Sequence, residues 1–137
     1  MIGRRSTDRI DTIVIDRDAS RMLDDLERES ESVESEVGGV MCYDTSRRTV
    51  YVKNVIPIRD GSLDGGVFHV TPSSIKDSSR FHCANEQPII VHTHPNGNDA
   101  LSSNDKKFSD RYNIIICALA GKRLRCSDGD REIETRR

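Results

Sequence analysis

Ile89-Ile90-Val91-His92-Thr93-His94-Pro95-Asn96-Gly97, continued by Asn98-Asp99-Ala100-Leu101-Ser102-Ser103-Asn104-Asp105, is the stretch on which the fold turns. Three apolar residues lead into two histidines, and a proline and a glycine follow. That order reads as a buried strand that breaks into a loop. Alternate residues of a strand share a face, so His92 and His94 point the same way and their imidazoles converge. Ser102 or Ser103 is placed to cap a helix over residues 102–112.

Outward from this strand, β-branched and apolar segments alternate with helical ones. Thr12–Ile15 reads as a first strand. From Asp18, taken as N-cap, Ala19, Met22, Leu23 and Leu26 recur at helical spacing. The helix is expected to fray near Arg28, because residues 29–36 are almost all Ser and Glu and suit a solvated acidic loop. Strands are expected at 36–43, 49–58, 67–70, 87–93, 113–120 and 122–126, with a loop at 60–66 and a helix of a turn or two from Ser73 to about residue 81. Residues 129–137 read as a short last strand and a flexible tail. The whole, residues 1–137, is expected to form one α/β domain, a mixed central sheet of about six strands flanked by helices.

Composition narrows the function. The chain has 137 residues, and its 34% apolar and 32% charged content suits one small core under a charged surface. With 21 basic against 23 acidic residues the net charge is −2, so there is no global field to draw nucleic acid or an anionic membrane. No apolar run approaches a membrane span, and the first ten residues lack the apolar core of a signal peptide, which reads as a cytoplasmic protein. Cys42, Cys83, Cys117 and Cys126 include no C-x-x-C pair and are read as free thiols, with Cys42 and Cys117 buried in strands.

The chemistry lies in the quoted stretch. A catalytic zinc keeps three protein ligands and leaves one position for water. His92 and His94 supply two, and Asp105, in the first turn of the next helix, can supply the third. Ser102 and Asp105 are three apart and share a helix face. Taken alone, Ser-x-x-Asp is equally an ordinary capping pattern. His69 and His82 read as solvent-facing or hydrogen-bonded histidines, and Asn98 and Asp99 as turn formers.

His92-x-His94-Pro95, then Ser102-x-x-Asp105, with Glu36-Val37-Gly38-Gly39 upstream, resembles the signature of the JAMM/MPN+ (JAB domain) zinc metalloproteases, in their compact prokaryotic or viral form. The resemblance implies a three-layer, cytidine-deaminase-like α/β fold and one zinc per chain held by His92, His94 and Asp105. It implies Glu36 as general base and Ser102 as donor to the oxyanion. Glu34 competes with Glu36 for the base if the strand extends that far, and Gly38-Gly39 favours Glu36. The implied substrate is a ubiquitin-like or sulfur-carrier protein whose C-terminal glycines pair along a strand edge beside Gly38-Gly39. Two other readings stand beside it. RadC-like proteins, associated with DNA repair, share a His-x-His-Pro stretch but differ at Thr93 and Asn96, and silent MPN scaffolds lose ligands that this chain keeps.

Overall fold

The computed structural model describes residues 10–46, 48–57, 62–64, 67–69, 89–95, 97, 100–112 and 114–137. Nine strands and two helices are found among them. The strands are β1 (Thr12–Ile15), β2 (Gly38–Ser46), β3 (Thr49–Pro57), β4 (Ser62–Asp64), β5 (Val67–His69), β6 (Ile89–Thr93), β7 (Ile115–Ala120), β8 (Arg123–Ser127) and β9 (Glu132–Arg136). The helices are α1 (Arg17–Val33) and α2 (Ser103–Tyr112). The helix expected from Ser73 lies outside the described residues, as do His82 and Cys83.

The expected three-layer α/β sandwich is not what forms. Seven strands close into a mixed barrel in the order β1-β3-β2-β6-β7-β8-β9, while β4 and β5 pair as a separate hairpin. Closure depends on the two ends of the chain. β1 pairs in parallel with β3 on one side and with β9 on the other, Thr12 opposite Glu134. The short last strand expected within residues 129–137 forms as β9, and although only its Ile133 is buried its backbone completes the barrel. The C-terminus is held rather than flexible: the Arg137 guanidinium donates to the Ser20 carbonyl at 2.9 Å, to Asp24 at 2.8 Å and to the Lys122 carbonyl at 2.7 Å.

The helix α1 starts earlier and ends later than its apolar spacing suggests. Asp16, not Asp18, is the N-cap, its carboxylate accepting from the Ala19 N–H at 2.8 Å. The buried stripe Ala19, Leu23, Leu26 continues at helical spacing to Ser30, which is itself buried. That contact carries the helix through the Ser/Glu stretch to Val33, where Glu34 in the left-handed conformation closes it.

Residues of alternating parity divide the sheet between two apolar clusters. Ile89 and Val91 of β6 join Met41, Cys117 and Leu119 in the larger cluster, together with the α1 stripe. Ile90 joins Val40, Cys42 and Ile116 in the smaller one, against which Leu101 and Phe108 of the α2 segment pack. Cys42 and Cys117 are buried in strands as expected, but they are not thiols. Cys117 and Cys126, facing each other across β7 and β8, form a disulfide in the interior of the larger cluster, and Cys42 is also disulfide-bonded. The register of the β7–β8 hairpin, with Cys117 directly opposite Cys126, brings this pair together.

Gly39 is small for the sake of a neighbouring strand. It pairs with Pro57 of β3, and a Cβ there would stand 2.8 Å from the Ile56 carbonyl oxygen. Gly39→Ala is therefore expected to lower stability by about 1–3 kcal/mol, as overpacking of a closed interior does, with zinc content unchanged. Urea denaturation checks it, and an unaltered midpoint would show that β3 yields freely. Nor does Gly39 offer a strand edge to a peptide: it pairs with Pro57 of β3 on one side and with Val91 of β6 on the other. The expected docking of substrate along Gly39 is thereby corrected.

Among the described residues no helix is long and apolar enough to cross a membrane.

Candidate metal centre

The site forms where β6 leaves the barrel. His92 pairs with Gly38 of β2 and with Ala118 of β7, and its even parity turns it away from the α1 side toward α2. The strand's hydrogen bonding runs one residue further, the His94 N–H donating to the Leu119 carbonyl at 2.9 Å. A turn then ends it: the Gly97 N–H donates to the His94 carbonyl at 3.0 Å, and Gly97 has φ of 82°, which favours glycine. Pro95 sits inside that turn, as its fixed φ suits.

The third side chain arrives on α2. Asp105 N–H donates to Ser102 Oγ at 3.1 Å, while Asp105 Oδ2 accepts from the Ser102 N–H at 2.9 Å. This is the reciprocal capping box, so the ordinary reading of Ser-x-x-Asp holds. It does not exclude the metal reading, because Asp105 has a second oxygen. Oδ1 lies 3.1 Å from His92 Nε2, and Oδ2 lies 3.7 Å from His94 Nε2. The two Nε2 atoms are 3.0 Å apart. Ser109 further anchors α2, its hydroxyl donating to the Ile114 carbonyl.

These separations fit one ion. Donor atoms of a tetrahedral zinc site, with bonds of about 2.0–2.1 Å, stand roughly 3.3 Å from one another. Among the described residues, His92, His94 and Asp105 are the group able to hold a metal. Burial opposes ionisation of Asp105, but hydrogen bonds from His92 and His94, the His92 charge and the Ser102 N–H outweigh it and hold the carboxyl well below its usual range. An anionic oxygen facing two imidazole nitrogens is a cation's donor set.

Glu36 stands just before β2. It is half-buried and precedes Val37, whose carbonyl accepts from the Thr93 N–H at 2.8 Å and whose N–H donates to the Thr93 hydroxyl at 2.9 Å, so the chain beside Glu36 is tied to the residue between the two histidines. Gly38, opposite His92, adds no side chain. Glu34 is not a strand residue, since it is exposed and caps α1. Ser102 is exposed at the helix start, its oxygen accepting from Asp105 while its own O–H is left for another acceptor.

Sequence reasoning passed over Ser30 and Thr93. Both are buried to within 1% exposure, and Thr93 donates to Ser30 at 2.7 Å. A buried hydrogen bond of this kind contributes about 1 kcal/mol. The detectable signal was Ser30 falling on the continued stripe of Ala19, Leu23 and Leu26.

No family model and no curated protein matches the chain. Among solved structures it is similar to the solution structure of protein DSY2949 from Desulfitobacterium hafniense, with a TM-score of 0.65 and 17% identity over 90% of each chain. That likeness concerns the fold.

Proposed function

We propose that this chain is a zinc-dependent peptidase or isopeptidase of JAMM type. The observation that carries the reading is the convergence of His92 Nε2, His94 Nε2 and the Asp105 carboxylate, within 4.8 Å of one another. Three ligands of this kind fit a catalytic zinc with a position left for water. Zinc held there would supply Lewis acidity and lower the pKa of a bound water toward neutrality.

The chain's own residues supply the rest. Glu36, whose neighbour Val37 is hydrogen-bonded to Thr93 between the two histidines, takes the proton of the attacking water and delivers it to the leaving amine as the C–N bond breaks. Ser102 donates its O–H to the oxygen that gains charge, at a worth of roughly 2–4 kcal/mol for one such donor. The products are a carboxylate and an amine. The substrate proposed is a ubiquitin-like or sulfur-carrier protein joined through its C-terminal glycine, presented to the His92, His94 and Asp105 group rather than along β2. A cytoplasmic setting is part of the proposal.

Metal analysis of the purified protein is expected to give about one zinc per chain. Chelator-sensitive cleavage is expected on a panel of ubiquitin-like fusions and isopeptide conjugates. A folded protein that takes up no zinc would overturn the reading.

A further inference from the structure

Around Glu36 the hydrogen bonds form a directed chain. The Val37 N–H donates to Thr93 Oγ1 at 2.9 Å, Thr93 Oγ1 donates to Ser30 Oγ at 2.7 Å, and Ser30 Oγ donates to the Ser35 carbonyl at 2.6 Å. Each hydroxyl accepts one bond and donates one, so the direction follows from the amide at one end and the carbonyl at the other. The two ends are the two peptide groups that flank Glu36. The Ser35 carbonyl belongs to the plane before it and the Val37 N–H to the plane after it, and planar peptides leave only φ and ψ of Glu36 between them. Thr93 itself lies between the two histidines, and its N–H holds the Val37 carbonyl at 2.8 Å.

We propose that Thr93 and Ser30 are positioning residues whose hydroxyl chain fixes both peptide planes beside Glu36 to the strand bearing His92 and His94. The carboxylate's place at the metal centre is thereby set from the opposite face of the sheet. An apolar pair of the same shape would fill this interior equally well; what the hydroxyls add is orientation. The catalytic consequence rests on the hydrolytic reading above, whereas the clamp itself does not.

Thr93→Val removes the hydroxyl without changing shape, Thr93→Ser restores it, and Ser30→Ala cuts the chain at its second link. Hydrogen exchange at the Val37 amide is expected to speed up by about tenfold or more in Thr93→Val, measured against the Met41 amide, and to return in Thr93→Ser. Zinc content is expected to stay at the wild-type level. With a cleavable conjugate, kcat is expected to fall about tenfold or more at unchanged KM in Thr93→Val and Ser30→Ala, to recover in Thr93→Ser, and to show no further loss when Glu36→Gln is already present. Unaltered Val37 exchange, or wild-type kcat in both hydroxyl-deletion variants, would overturn the proposal. If the wild-type protein cleaves nothing, the hydrolytic reading falls alone and the exchange result still decides whether the clamp exists.

Discussion

Glu36→Gln is expected to retain its full complement of zinc and to lose hydrolysis by about 10²–10⁴-fold, the usual worth of a positioned acid–base group. The substitution keeps the side chain's length and shape and removes its charge and basicity. Local geometry should survive, because the peptide groups on both sides of residue 36 are held through Ser30 and Thr93. The proposed ligands belong to other elements: His92 stands on β6, His94 just past its end, and Asp105 on α2. Loss should therefore appear in kcat with KM little changed, the mark of an interaction made in the transition state. Glu34→Gln supplies the control. That residue ends α1 in the left-handed conformation and is expected to leave turnover unaltered. Full activity in the Glu36 variant, with zinc bound, would move the base elsewhere.

How much was legible in the sequence differs between strand and partner. Ile89-Ile90-Val91 announced a strand buried on both faces because nearly every side chain there is apolar, and β6 is fully buried. Its two histidines at a spacing of two, and the capping serine three before an aspartate, announced the donors for the same local reason. β9 announced itself as a short strand but not its partners. Four of its five side chains are polar, yet its backbone joins β1 to β8, and backbone pairing leaves no trace in hydropathy. That partnership converts an expected layered sheet into a barrel. Gly38-Gly39 was read as space for a substrate, whereas Gly39 accommodates the Ile56 carbonyl of β3 and only the register with β6 reveals that Gly38 faces His92. Local spacing thus located the three side chains that could hold a metal, and long-range register located what surrounds them.

Asp105 is the residue at which capping and metal binding can be separated, because its oxygens divide the tasks: Oδ2 accepts from the Ser102 N–H while Oδ1 faces His92. Asp105→Asn is expected to keep a side-chain acceptor for that amide and so to preserve the start of α2, but it removes the anionic ligand. Zinc affinity should fall by more than the roughly 10–100-fold typical of losing an outer-shell partner. Asp105→Ala removes both functions and is expected to destabilise the metal-free protein by about a further 1 kcal/mol, the typical worth of a helix cap. In either variant the His92 and His94 nitrogens, 3.0 Å apart, lose the carboxylate that balances them. Competition with a chromophoric chelator measures the first effect and urea denaturation of the metal-free proteins the second. An asparagine variant that bound zinc as the wild type does would leave Asp105 with the cap alone and reduce the ligand set to two histidines, too few for the catalytic site proposed.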